Sequence, residues 1–483
     1  MIISGAKLKT IILVFSVLHL LHSLNNKTFA QNTSSPYSRY GVGDVNSRVY
    51  GQGFAMGGTS IAMQNDTTPL FFINSTNPAS YSGVYLTTAE LGMNYNRLRL
   101  QSADTKKNIN NASFGYVSIA FPIKKWIGAS FGLVPFSSVG YNLADTRILD
   151  NIGRVNYKYE GNGGMSQAYF GLGFKPLSGL PKIFRNSAKY ARLKAENRPD
   201  RIIKIMNHRK SLASLSLGGN VSYLFGSIEH LRASEFTSAN TFNTRSTTTT
   251  RFNDVYFDYG IQYAHTIDSL NGRDLKDNVK IMFGATFAAQ TDVNARIDSL
   301  AVNYFNSSAG FDIVKDTVEF VEGHKGSVTL PLSFGFGIGL KKGTRWMLAA
   351  DFAMQNWSSY QAFNQTQGLK NSMRVSAGAQ FVPNAKSSGI KTYFRRVHYR
   401  VGGRYAQTAL ELKSSQLTEY AVSFGMGFPV AGNYLLKSFS MVNIGVEVGQ
   451  RGTTTNGLIR EEFFKSTLSF TINDRWFQKT RID

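Results

Sequence analysis

Beyond the first thirty residues the chain holds five histidines, His208, His230, His265, His324 and His398, and none stands at a metal-ligand spacing from another. There is no cysteine, which excludes disulfide scaffolds, thiolate zinc sites, iron–sulfur clusters and cysteine catalysis. No Gly-x-Ser-x-Gly elbow appears with triad partners in register. Gly51, Gly53, Gly57 and Gly58 imitate a phosphate loop, but no strand precedes them and no Lys-Ser/Thr follows, so close packing explains them better. No enzyme, metal or cofactor is therefore expected. The residues left with chemistry to offer are binding residues. Leu70, Phe71, Phe72 and Ile73 form an apolar run beside Asn77, Pro78 and Ala79, where Pro78 pushes Asn77 out of the helical region and makes a rigid corner. Such a cluster either packs a plug against a wall or lines an apolar pocket. A second candidate is Pro135, flanked by Val134 and Phe136, because proline inside a strand is tolerated only at a bulge or break.

The elements that must hold these residues follow from composition and periodicity. The chain has 483 residues, 42% hydrophobic and 13% aromatic, with 45 glycines. Together with a negative mean hydropathy this is too polar for a helical membrane bundle and too aromatic for disorder. Lys7 and Lys9 precede an apolar run from Ile11 to Leu21, and a polar stretch ends at Thr28-Phe29-Ala30. This is the layout of a secretory leader over 1–30, with eleven apolar residues too few to span a bilayer. Cleavage there removes three lysines and no acid, so the net charge of +23 becomes +20. The basic residues are spread over loops, with no nucleic-acid-binding pattern in an exported chain, so no nucleic-acid partner is expected.

Period-two alternation dominates the rest. Val255, Phe257, Tyr259, Ile261 and Tyr263 alternate with Tyr256, Asp258, Gly260 and Gln262, and Val442, Ile444, Val446 and Val448 alternate with Asn443, Gly445, Glu447 and Gly449. A soluble sandwich would carry mainly Lys, Glu and Asp on its polar face, but charged residues are only 17% of the chain. The Gly, Ser, Asn and Gln face fits a crowded lumen and the greasy face fits lipid. The expectation is an all-β transmembrane antiparallel barrel of about fourteen strands between 86 and 475, closed by even count. Among the spans are 126 to 138, 326 to 340 and 346 to 358, and long loops are expected at 139 to 164, 229 to 253 and 292 to 325. Trp346 and Trp357 bracket one span at girdle height, although their opposite parity prevents both from facing lipid without a bulge. Residues 31–85 lack long alternation and are expected to be a hatch filling the lumen, since a barrel this wide cannot be filled by its own side chains.

One connection is unusual. Within 177–211, residues 181 to 210 hold ten Lys or Arg against Glu196 and Asp200. The alternation of turns puts this segment in the periplasm, as a solvated helical excursion or a docking surface for an acidic partner or an anionic polymer. An off-by-one strand count would instead bring it to lipopolysaccharide phosphates.

Ala55-Met56-Gly57-Gly58-Thr59-Ser60-Ile61-Ala62, then Asn65-Asp66 and Asn77-Pro78-Ala79, resemble the hatch of the FadL/TodX family of outer-membrane hydrophobic-compound transporters. The opening Ser35 to Asp44 and the close Ile472 to Phe477 are similar to FadL-like proteins of the Bacteroidota, a branch that includes PorV-like barrels. The resemblance implies a bacterial outer-membrane protein surrounded by lipid and lipopolysaccharide. It implies a hydrophobic small-molecule ligand and passive uptake past the hatch. It further implies a third strand bent inward at Val134, Pro135 and Phe136 to open a window into the bilayer. The PorV-like branch implies, alternatively, a non-transporting partner of type IX protein secretion.

Overall fold

The computed structural model describes residues 35–65, 72–103, 105–150, 152–237, 241–267, 279–306, 311–387, 389–430 and 439–474. The leader at 1–30, Leu70, Phe71, Trp476 and Phe477 lie outside the described residues.

The alternating spans pair as neighbours into a closed antiparallel barrel of 14 strands. They are β1 Thr87–Gln101, β2 Lys106–Lys124, β3 Ile127–Leu149, β4 Gly153–Phe174, β5 Ser216–Phe236 and β6 Asn243–Ile267. β7 and β8 are each interrupted once, running Val279–Ala288 with Thr291–Asn306, and Asp312–Leu330 with Ser333–Lys342. The circuit continues through β9 Trp346–Gln355, β10 Ser372–Phe381, β11 His398–Leu412, β12 Ser415–Val430, β13 Phe439–Arg451 and β14 Arg460–Asp474. β14 closes on β1 in an unbroken register from Arg460 opposite Gln101 to Asp474 opposite Thr87.

The two faces sort as the alternation demands. Phe257, Tyr259 and Ile261 point outward and stay exposed, while Tyr256, Asp258 and Gln262 are buried in the lumen. The same division holds on β12 to β14, with Val422, Ile444 and Phe464 outside and Ser423, Glu447 and Thr467 inside. An apolar belt therefore encircles a polar interior, the arrangement that hydrocarbon outside and confined water inside select.

Several strands run past the expected spans. β3 reaches Leu149, β4 starts at Gly153, and the first segment of β8 starts at Asp312, so most of the expected loops 139–164, 229–253 and 292–325 is ladder. Runs such as Thr247–Thr250 have β-branched side chains but no apolar face, so alternation fades where both faces are wet while pairing persists. The span expected at 326–340 is interrupted at Pro331, where the ladder lacks a donor. Trp357 is no girdle residue. β9 ends at Gln355, and the following turn carries Trp357 inward to 6% exposure against Tyr360. Trp346 does face outward.

Residues 35–65 and 72–86 fill the lumen. They include a 3-10 turn Pro36–Arg39, the two-residue strand Asp44–Val45, the short helix α1 Gly51–Phe54 and a 3-10 helix Pro78–Gly83. Between β4 and β5 the basic connection folds into α2 Leu180–Arg185, α3 Ala188–Ala195 and α4 Pro199–Leu212.

Candidate functional site

The hatch is held by backbone geometry first. After α1 the chain reverses through Gly57 and Gly58 at φ 74° and 87°, a left-handed region that glycine enters without strain. A Cβ on Gly57 would meet the Gly403 and Ala377 backbones, so the small residue also permits close approach to the wall. Gly335 and Gly337 of β8 serve the approach from the other side, lying against Ile61 and Ala62, whereas Gly339 faces Met282 rather than the hatch. Asp351 on β9 accepts from the Ser60 and Ile61 amides at 2.6 and 2.9 Å.

Asn77 is fully buried and joins hatch to barrel. Its Oδ1 accepts from the Ala79 amide at 3.2 Å and caps the Pro78–Gly83 turn. Its Nδ2 faces the carbonyls of Ile61 at 2.9 Å, Ile261 at 3.1 Å and Ala285 at 3.3 Å, reaching β6 and β7. A Cβ on Gly260 would strike the Asn77 side chain. Pro78 and Ala79 are buried beside Gly218 of β5. Ile73 is 1% exposed and packs with Tyr50, Tyr81, Tyr116 and Val134. Phe72 is partly buried against Met56, Met63, Met282 and Met347, and its backbone bonds both ways to the Asn65 amide at 2.6 and 3.1 Å.

Charged pairs tie the same segment to the wall. Arg48 meets Asp258 at 2.7 Å. Arg451 of β13 meets Asp44 at 2.8 Å and Glu461 at 2.6 Å, and Ser35 donates to Glu461 at 2.6 Å. Burial opposes the Arg48 charge, but Asp258 outweighs it and lifts the guanidinium above the ordinary arginine value. Burial pushes the Tyr37 phenol up to about 12, against the lowering effect of its bond to the Ile459 carbonyl. Arg404 of β11 bridges Glu419, at 2.6 Å, and Glu447. Motif reading passed over these groups, although inward parity marks Asp258 and Glu447 as charges committed to the lumen. Among the described residues, no three metal-ligating side chains cluster.

Val134, Pro135 and Phe136 sit where the wall parts. β2 and β3 pair from Lys124 opposite Ile127 up to Val117 opposite Leu133, and there the ladder ends. Above it, among the described residues, β2 pairs with β1 alone. β3 continues on β4, with a bulge between Pro135 and Ser137, and its free side takes Asp44 and Val45 opposite Ser138 and Ser137. Val134 is buried, and Phe136 packs edge-on to Tyr256 at 6.0 Å. A cavity of about 570 Å³ is lined at this gap by Tyr95, Phe114, Val134, Pro135 and Phe136, and across the lumen by Arg374, Arg404 and Glu419. The structure thus brings the Pro135 group to a luminal cavity and places Asn77, Pro78 and Ala79 at a hatch–wall seam.

The family model described as BamG matches residues 8–183 and 207–483, leaving 184–206 inside the basic helical connection unmatched. No curated protein matches. Among solved structures, the toluene transporter TodX of P. putida is similar over 90% of this chain and 100% of its own, at 14% identity and a TM-score of 0.53. A FadL homologue of Pseudomonas aeruginosa is matched over 90% of this chain and 100% of its own, at 10% identity and a TM-score of 0.49.

Proposed function

The chain belongs to the BamG family and is an outer-membrane barrel of the FadL type, and from that premise we propose that it passes apolar small molecules, fatty-acid-like or lipid-like, from its lumen sideways into the bilayer. The observation that carries this reading is the end of the β2–β3 ladder at Leu133 beside the 570 Å³ cavity. Val134, Pro135 and Phe136 form the lateral opening. Phe72 and Ile73 line the inner route, and Asn77, Pro78 and Ala79 are the seam about which the hatch shifts. A sideways exit suits such cargo because each methylene kept from water gains about 0.8 kcal/mol. The mixed lining, aromatic at the gap and charged across from it, favours a molecule with an apolar body and a polar head. No energy source is invoked, so movement follows the gradient.

Replacing Pro135 with valine restores a donor and lets β3 straighten toward β2. Uptake of a fluorescent long-chain fatty acid into proteoliposomes should then fall severalfold. Uptake equal to that of the unmodified protein would count against the lateral route.

A second reading, a PorV-like partner of protein secretion, is favoured by one feature. From Asp312 to Gly326, β8 pairs only with β7 among the described residues, and Val314, Val318 and Phe320 on this strand are exposed. An open edge of this kind accepts another strand. Val318→Lys with Phe320→Lys should then release an envelope protein while leaving uptake unchanged.

A further inference from the structure

The helices α2 to α4 are not a loose excursion. Phe184 and Leu193 are buried at their centre, the Phe184 ring meets Tyr190 edge-on at 5.6 Å, and Arg209 lies over Phe184 at 5.1 Å. Ser187 caps α3 by accepting from the Tyr190 amide at 3.3 Å. The unit is docked at its α4 end. The Ser211 hydroxyl bonds Tyr263 at 2.8 Å and His265 Nδ1 at 2.7 Å, and Ser214 bonds the Ala264 carbonyl at 2.6 Å.

That dock decides where the helices sit. Tyr263 and His265 share the outward parity of Ile261 and Ile267, both exposed, and Tyr263 stacks near Phe283 of the lipid-facing belt at 6.5 Å. The insertion is therefore tethered to the outside of the wall at the bilayer edge. It lies at the barrel end that carries the β2–β3 and β8–β9 turns, the periplasmic end by the alternation of connections.

Its surface has two further properties. Lys182, Arg185, Lys189, Arg192, Lys194, Arg198, Arg201, Lys204 and Lys210 are all exposed, and among the described side chains of the unit only Arg192 is neutralised, by Glu196 at 2.7 Å. Two large apolar side chains are also exposed, Ile183 at 62% and Ile203 at 53%, next to Lys182 and Lys204. Exposed isoleucines beside lysines and arginines are the composition of a helix lying in a membrane interface over anionic headgroups. The family match leaves out 184–206, the centre of this unit, and includes its two ends.

We propose that α2–α4 is an interfacial clamp that binds the phosphate groups of anionic phospholipids in the periplasmic leaflet, with Ile183 and Ile203 seated among the headgroups. The absence of cysteine makes a direct test simple. The full chain bearing Ile203→Cys is labelled with an environment-sensitive fluorophore and placed in nanodiscs of phosphatidylcholine alone, of phosphatidylcholine with phosphatidylglycerol, or of phosphatidylcholine with lipopolysaccharide. A blue shift in the phosphatidylglycerol discs that is reversed by salt supports the clamp. The shift should vanish when Lys189, Arg192, Lys194, Arg201 and Lys204 are replaced by glutamine, with the heat-modifiable band of the folded barrel retained. The salt arm uses unsubstituted basic residues and stands even if that variant misfolds. Identical emission in all three discs, a response to lipopolysaccharide alone, or a shift appearing only with an acidic envelope protein would each overturn the proposal.

Discussion

At the scale of single residues, the hatch is held by a few buried polar groups whose loss should be costly. Asn77→Ala removes the Nδ2 donor to the Ile61, Ile261 and Ala285 carbonyls, of which Ile61 keeps Gln262 Nε2 at 2.9 Å, and uncaps the Pro78 turn. It should cost about 1–3 kcal/mol in equilibrium unfolding from lipid vesicles. Arg48→Ala leaves Asp258, whose side chain is 4% exposed, with the Asn220 amide at 2.8 Å but without its guanidinium partner. About 3 kcal/mol should be lost, and the double change Arg48→Met with Asp258→Leu should recover most of it. Tyr37 adds a pH dependence. Its folded pKa of about 12 exceeds the ordinary 10.0, so its contribution is complete below about pH 10 and disappears as pH rises toward 12. The heat-modifiable transition of the unmodified protein should fall more steeply over that window than that of Tyr37→Phe. Little of this layer was legible in the sequence. Arg451 and Asp44 are 407 positions apart, and nothing local in either segment names the other. Asn77 was legible, because an Asn-Pro corner fixes its own backbone whatever surrounds it.

At the scale of elements, the spans and their inward and outward faces were readable wherever one face touches lipid, since hydrocarbon tolerates only one class of side chain there. The extensions beyond the bilayer were not, because ladder hydrogen bonds leave no pattern in side chains when both faces are wet. The glycines of β5 to β8 in the hatch-facing positions have a mechanical meaning that periodicity alone does not supply. Gly260→Val would drive into Asn77 and should unseat the hatch without opening the barrel. A raised single-channel conductance in planar bilayers would register that. The helical insertion gives the topology a direct check. Ala191 is exposed on α3, and a cysteine placed there should resist a membrane-impermeant maleimide in intact cells yet react once the outer membrane is breached. Labelling in intact cells would invert the assigned orientation.

For the whole molecule, a greasy belt, a polar lumen filled by residues 35–65 and 72–86, and a β2–β3 ladder that ends at Leu133 are the features on which the proposed lateral exit rests. The third strand was legible as a span and its break as Pro135, but the cavity behind it depends on residues from β1 to β3, from β6 to β14 and from the segment 35–65 meeting in three dimensions. The most direct measurement is to irradiate the protein in a bilayer with a diazirine-bearing long-chain fatty acid and map the adducts by mass spectrometry. The lateral route predicts adducts concentrated on Tyr95, Phe114, Val134 and Phe136, reduced in Pro135→Val. Adducts spread evenly over the outer belt, with none at those four side chains, would contradict it.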